Sequence, residues 1–134
     1  PEGVHVVSPE TASTVRQMFR SVTQDDNGNQ RGTGVAAGVE GYQISGKTGT
    51  AQQVDPNCGC YSNSDYWITF AGIAPADDPR YVIGIMLDAP TRSADGSGGQ
   101  SAAPLFHNIA SWMLERDSVP FSADPGPKLV LQAD

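Results

Sequence analysis

The chain has 134 residues, 38% of them apolar and 17% charged, a balance that suits one globular domain or one lobe of a domain. Fifteen acidic residues against eight basic ones leave a net charge of -7, which opposes binding to a nucleic-acid backbone or to an anionic membrane surface. No apolar run reaches the length of about eighteen residues that a membrane span needs; no basic-then-apolar leader follows Pro1, so no export signal is expected and Pro1 reads as a cut inside a longer protein.

The first predicted element is a helix from Ser8 to Val22. Ser8 suits the N-cap, Pro9 the first helical position and Glu10 the positive end of the dipole. Ala12, Val15, Met18, Phe19 and Val22 recur at three- and four-residue steps, so this stripe is expected to pack while Arg16, Gln17 and Arg20 face away. From Gln24 to Gly41 the sequence turns to Asp, Asn, Gly and Gln and reads as a loop with room for one short helical turn.

Three strands are expected at Tyr42 to Gln53, Tyr66 to Ala74 and Tyr81 to Leu87, forming an antiparallel meander. Pro75-Ala76-Asp77-Asp78-Pro79 is a short hairpin connection, and its paired aspartates are turn residues rather than a two-carboxylate site. Val54 to Asp65 reads as a longer, polar excursion. It holds the two cysteines, Cys58 and Cys60, which flank Gly59. A disulfide needs a turn at Gly59. Free thiols are the alternative, and metal binding lacks two further ligands at metal spacing, so no metal site and no cofactor are expected. An oxidised pair would imply an extracytoplasmic home.

Ser93 to Gly99 is Gly/Ser-rich, and a helix follows from Ser101 to Arg116, with Pro104 in its first turn and Phe106, Ile109, Ala110, Met113 and Leu114 on one face. From Ser118, the prolines at 120, 125 and 127 exclude regular structure. The expected organisation is a body over residues 1–117 and a Pro-rich tail over 118–134. The fold class is α+β, an antiparallel sheet with three strands in this chain packed against helices. Trp67, Phe70 and Trp112 read as packing residues in the core or at a lobe interface, and His107 as a packed or surface histidine.

The chemistry concentrates in Lys47-Thr48-Gly49-Thr50-Ala51-Gln52, which puts a cation, two hydroxyls and a glycine on one extended segment. These are the groups that hold a carboxylate and a developing oxyanion. Glycines at 46 and 49 inside a strand mark places where a ligand or another backbone comes close. Strict alternation puts Lys47 and Gly49 on one face and Thr48 and Thr50 on the other, so geometry has to decide how they meet. The plain alternative is a solvated surface lysine, against which stands the scarcity of lysine, only Lys47 and Lys128.

Lys-Thr-Gly is one third of the Ser-x-x-Lys, Ser-x-Asn and Lys-Thr-Gly set of penicillin-recognising enzymes. With its context the chain resembles the C-terminal half of the transpeptidase domain of class B penicillin-binding proteins, the serine D,D-transpeptidases that cross-link bacterial peptidoglycan, with a lean toward division-type members. The resemblance runs from Val6 to Leu114. It is carried by Val7-Ser8-Pro9-Glu10-Thr11-Ala12, Gly32-Thr33-Gly34, Gly41-Tyr42, the Lys47 segment, Phe70 through Tyr81, and Gly99 through Ala103-Pro104 to Phe106.

The resemblance implies that Lys47 closes the hydrogen-bond network around a nucleophilic serine. It implies that Thr48 and Thr50 contact a substrate or β-lactam carboxylate, that the Thr50 amide is an oxyanion donor, and that Gly49 and Ala51 belong to the same substrate-binding strand. Lys47 and Thr50 are thus the catalytic candidates. No serine here has lysine three positions on or asparagine two positions on; Ser45 comes nearest and meets Thr48. Tyr61-Ser62-Asn63 mimics a Tyr-x-Asn variant but follows the Lys47 motif instead of preceding it, and is read as coincidence.

The nucleophile and its base are therefore expected in an upstream half of the same domain, and this chain alone is expected to be inactive. The implied partners are that half, peptidoglycan stem peptides, β-lactams, and division or elongation proteins. The implied home is the extracytoplasmic face of the bacterial plasma membrane, reached by an anchor absent from this chain. The rivals are a serine β-lactamase, a β-lactam-binding sensor that keeps its acyl group, and a non-catalytic docking lobe.

Overall fold

A computed structural model describes residues 3–25, 31–91 and 98–123. Helix α1 (Pro9–Met18) begins where the sequence indicates: the Ser8 hydroxyl accepts the Thr11 amide at 3.2 Å, and Pro9 takes the first turn. The helix does not run unbroken to Val22. It tightens into a 3-10 turn at Phe19–Val22, where the hydroxyls of Ser21 and Thr23 bond back to the carbonyls of Met18 and Arg20. Serine and threonine compete with the helical ladder in this way and end it early.

The expected burial of the α1 stripe is also corrected. No residue of α1 is buried; Met18 is 61% exposed, while Arg16 and Gln17 are half-buried. The helix is tied down through its backbone, since the Arg16 carbonyl accepts the Ser45 hydroxyl at 2.6 Å. Periodicity identified an apolar face, of which only its end, Val22 in the 3-10 turn, packs against the core; Val15 and Met18 are exposed.

The sheet is a three-stranded antiparallel meander of β1 (Ser45–Val54), β2 (Tyr61–Ala74) and β3 (Tyr81–Asp88), in that order. Lys47 pairs with Ala71 and Thr48 with Phe70, and Phe70 in turn pairs with Ile85. The strands around 54–65 correct the sequence reading. In place of a long excursion, β1 and β2 continue as one hairpin past an irregularity between Gln52 and Val54, leaving a loop of Asp55 to Cys60. The loop closes through the Asp55 amide on the Cys60 carbonyl at 2.8 Å, and the Asp55 carboxylate accepts the Asn57 amide at 2.8 Å. Gly59 takes a left-handed φ of 67°, and the turn brings Cys58 and Cys60 into a disulfide with their Cα atoms 5.2 Å apart. The polar residues of 61–65 hid the strand because their side chains serve the backbone: the Ser62 hydroxyl accepts the amides of Ser64 and Asp65.

Helix α2 (Ala102–Arg116) lies across one face of the sheet. Ala102, Ala103, Phe106, Ala110 and Leu114 form its buried stripe, against Ile68, Phe70 and Ala74 of β2. Ile109, expected on this stripe, is 40% exposed. The Phe70 and Phe106 rings meet at 5.0 Å in a tilted pair at the centre of the core. Trp67 and Trp112 are not part of it. They are 40% and 59% exposed, with the Arg116 guanidinium 4.7 Å from the Trp112 ring centroid. His107 is half-buried and bonds through Nδ1 to the Gly38 carbonyl at 2.6 Å, a packing role.

At the hairpin between β2 and β3, Ala74–Pro75 is cis and Ala76 donates to the Gln43 carbonyl at 2.7 Å. Asp77 and Asp78 are tied separately, Asp77 to the Ser122 hydroxyl and Asp78 to Arg80. The described start of the tail lies along the body. Tyr42 donates its hydroxyl to the Val119 carbonyl at 2.6 Å, and Ser122 is bonded to Gly41, Gln43 and Asp77. Most of the Gly/Ser segment, residues 93–97, and the tail from residue 124 onward lie outside the described residues.

Candidate functional site

β1 is one of the two edges of the sheet, with β2 as its inner neighbour. Beside that edge lies a cleft of about 700 Å³ lined by Lys47, Thr48, Gly49 and Thr50 together with residues 31–33, 35, 36 and 98–100. Four consecutive residues of one strand reach the same cleft because the strand forms its wall edge-on, so both faces border it. This resolves the parity conflict of the sequence reading. Ala51 is exposed but lies outside the lining.

Two connections build the opposite walls. The segment after the 3-10 turn is pinned by Gly32 donating to the Gln24 carbonyl at 2.7 Å and Gly34 donating to the Val22 carbonyl at 2.8 Å. Between them the Thr33 hydroxyl stands 2.9 Å from the Thr48 hydroxyl. On the other side Gly98 is buried, its amide donating to the Thr50 hydroxyl at 3.3 Å. A Cβ on Gly98 would stand 2.5 Å from the Thr69 carbonyl oxygen and 3.0 Å from that of Gly49. The position therefore requires glycine.

The glycines of β1 answer the expectation of a close approach. A side chain at Gly46 would strike the Phe70 ring at 2.4 Å, and one at Gly49 would strike the Thr69 hydroxyl at 2.3 Å. Both are explained by packing within this chain. At Gly49 the neighbouring backbone is Gly98, which closes one end of the cleft.

The charge of the cleft opposes that of the whole chain. Among the described residues its lining carries Lys47 and Arg31 and no carboxylate, in a chain of net charge -7. Lys47 donates from Nζ to the Thr48 carbonyl at 2.6 Å, which fixes the ammonium above its own strand and leaves two of its three protons for other acceptors. Arg31 is exposed and 3.9 Å from Asp25. Two cations, three threonine hydroxyls and strand amides make a receptor for an anionic, peptide-like ligand.

Ser45 is fully buried and its hydroxyl is committed to the Arg16 carbonyl, so it is no nucleophile. Asn63 and Ser62 sit near the far end of the hairpin, away from the lining. Among the described residues, no group of three or more His, Cys, Asp or Glu side chains is placed to hold a metal ion. Of the lining residues, Arg31, Val35, Ala36, Gly98 and Gln100 were missed as site residues, and Gly32, Thr33 and Gly99 carried no role. They lie far from Lys47 in sequence and carry no spacing signal relative to it; the run of small residues at 98–99 was the only trace.

A family model, the penicillin binding protein transpeptidase domain, matches residues 1–111. The chain is 72% identical to penicillin-binding protein PbpB of Mycolicibacterium smegmatis, over 99% of this chain and 21% of that protein. It is 66% identical to PbpB of Mycobacterium tuberculosis, over 99% of this chain and 20% of that protein. A crystal structure of penicillin binding protein 3 from Mycobacterium tuberculosis, complexed with ampicillin, superposes with a TM-score of 0.90 at 66% identity, covering all of this chain and 30% of that one. The apo transpeptidase domain of penicillin-binding protein 3 from Burkholderia pseudomallei superposes with a TM-score of 0.77 at 37% identity, over 92% of this chain and 35% of that one. The chain thus spans about a fifth of the length of the curated relatives it matches.

Proposed function

We propose that this chain, which belongs to the penicillin-binding protein transpeptidase family, supplies the substrate-holding wall of a peptidoglycan D,D-transpeptidase whose nucleophile lies on a preceding stretch of polypeptide. The observation that carries this is the cleft itself, cationic and rich in hydroxyls within an acidic chain that contains no Ser-x-x-Lys.

In this reading a serine of the missing half attacks the penultimate D-alanine carbonyl of a stem peptide. The C–N bond breaks, the terminal D-alanine leaves as the amine, and the acyl-serine passes its acyl group to an amine of a second stem. Lys47, with two protons still to give, bonds to the serine network. Thr48 and Thr50 take the substrate carboxylate, the Thr50 amide donates to the oxyanion, and Gly49 lets the substrate backbone lie against the strand. Ala51 would touch only the part of a longer peptide that reaches past the cleft. A β-lactam enters as a mimic of the same carboxylate-bearing peptide and stays on the serine.

The body over 1–117 is the catalytic part and 118–134 a tail, of which the described residues up to 123 lie along that body. The disulfide accords with an extracytoplasmic home at the bacterial plasma membrane. Among the described residues no helix is long and apolar enough to cross a membrane, and the reading puts the anchor in another part of the protein. Division or elongation proteins are its expected partners.

Labelling with a fluorescent penicillin tests the division of labour. This chain alone is expected to stay dark, and label is expected on the preceding half once the two associate. A covalent adduct on this chain would refute the proposal.

A further inference from the structure

We infer that Thr33 and the Gly98 amide act as fixed donors that turn the Thr48 and Thr50 hydroxyl protons into the cleft, which makes Thr33 a positioning residue acting through Thr48. The inference rests on the reading above, that the cleft receives a carboxylate.

A threonine hydroxyl has one proton and two lone pairs. At Thr50 there is no choice of direction. The Gly98 amide can only donate, so the Thr50 oxygen accepts at 3.3 Å and its own proton is free for a ligand. At Thr48 the choice is open, because either partner of the 2.9 Å contact with Thr33 can give the proton. If Thr48 donates to Thr33, it meets the cleft with lone pairs alone and repels a carboxylate. If Thr33 donates, Thr48 offers its proton to the anion.

The field of Lys47 and Arg31 draws the anion in, and the anion selects the second direction. The resulting chain, Thr33 to Thr48 to carboxylate, is polarised along its length, and each bond strengthens the next. Both threonines of β1 then present protons to one ligand.

The backbone holds Thr33 in place for this. Amides on either side of it are anchored at 2.7 and 2.8 Å. Its carbonyl oxygen abuts Gly99, where a Cβ would stand 1.9 Å away. The wall carrying Thr33 is therefore locked against the wall carrying Gly98, and neither donor can follow a threonine that drifts. A valine at 33 fills the same space without the proton.

The test uses the polypeptide that joins this chain to the preceding half of its domain, with wild type, Thr33→Val and Thr33→Ser. The rate of acylation by benzylpenicillin is compared with that by benzylpenicillin methyl ester, in which the carboxylate is masked. Thr33→Val is expected to lose about five- to tenfold with the acid, the scale of one hydrogen bond. It should lose nothing with the ester, and Thr33→Ser should stay near wild type with both. The ratio of the two rates is independent of the fraction of protein folded, so it remains readable in a destabilised variant, and Thr33→Ala gives a second one. An unchanged ratio in both hydroxyl-less variants overturns the relay. A wild type that no penicillin acylates sinks the transpeptidase reading itself, and the relay with it.

Discussion

Asp117 shows how one side chain at a helix end couples two elements to pH. It follows the last residue of α2 and accepts both arms of the Arg116 fork, at 2.6 and 2.8 Å, as well as the Tyr81 hydroxyl from the start of β3. The Arg116 bonds first, then the tyrosine, hold its carboxyl at about 2, below the ordinary 3.8. The same bond to Asp117 raises the Tyr81 phenol. Since the folded value of Asp117 is the lower one, its contribution to stability is fully present above about pH 4 and is lost as pH falls through about 2. The group is exposed, so the effect is modest and screened by salt. A carboxyl-carbon NMR titration is expected to give a midpoint near 2 that returns toward the ordinary aspartate value in Tyr81→Phe combined with Arg116→Gln; a wild-type midpoint near 4 would contradict the arrangement. None of this was legible in the sequence, because Tyr81 and Asp117 are joined only by the packing of α2 over β3. That Lys47 lines the cleft was legible at the same scale for the opposite reason: the motif that marked it is four adjacent residues, whereas Thr33 needs the fold to reach Thr48.

Between β2 and α2, the fit rests on a glycine facing a phenylalanine. A Cβ on Gly72 would stand 2.5 Å from Phe106 Cε2 and 3.0 Å from Phe70 Cε1, with all three residues buried. Neither ring can yield without disturbing the other, since their centroids are 5.0 Å apart. Gly72→Ala is therefore expected to destabilise the domain by about 1–3 kcal/mol, the range for overpacking a filled core. Adding Phe106→Leu should recover part of that, because two changes at one contact are not additive. Urea midpoints of the two singles and the double, measured in the polypeptide carrying both halves, test it, and strict additivity would show that the glycine answers to something else. At this scale the sequence was informative for elements that bury a face and poor for those that do not. Strand β3 and helix α2 were located to within a residue because apolar side chains mark their buried faces. The first part of β2 reads as loop in the sequence, since Tyr61 to Asp65 hides no apolar face within the strand.

As a whole, the molecule exposes more large apolar side chains than it buries among the described residues. Ile44, Ile68, Phe70, Phe106 and Leu114 are buried, whereas Val6, Met18, Val82, Met86, Trp67 and Trp112 are all at least 40% exposed. A smaller hollow of about 190 Å³, lined by Phe19, Gly46, Gly72 and Val82 among others, is almost wholly apolar. Surface of this kind in a globular protein marks contact with something else. The α1 stripe was read as a packing face, and the missing serine motif as a missing half. On the proposed reading both follow from one circumstance: the sequence records faces that would meet a wall supplied by the preceding half. The isolated chain is accordingly expected to bind a solvatochromic dye such as ANS strongly. Titration with the preceding half should quench that emission in step with the appearance of penicillin label. Charge substitutions at Met18 and Val82 should weaken the association of the two pieces, whereas a change at Lys47 should abolish labelling and leave association intact. Dye emission that persists when labelling is complete would mean that the apolar face serves some other contact, and that the cleft is finished without it.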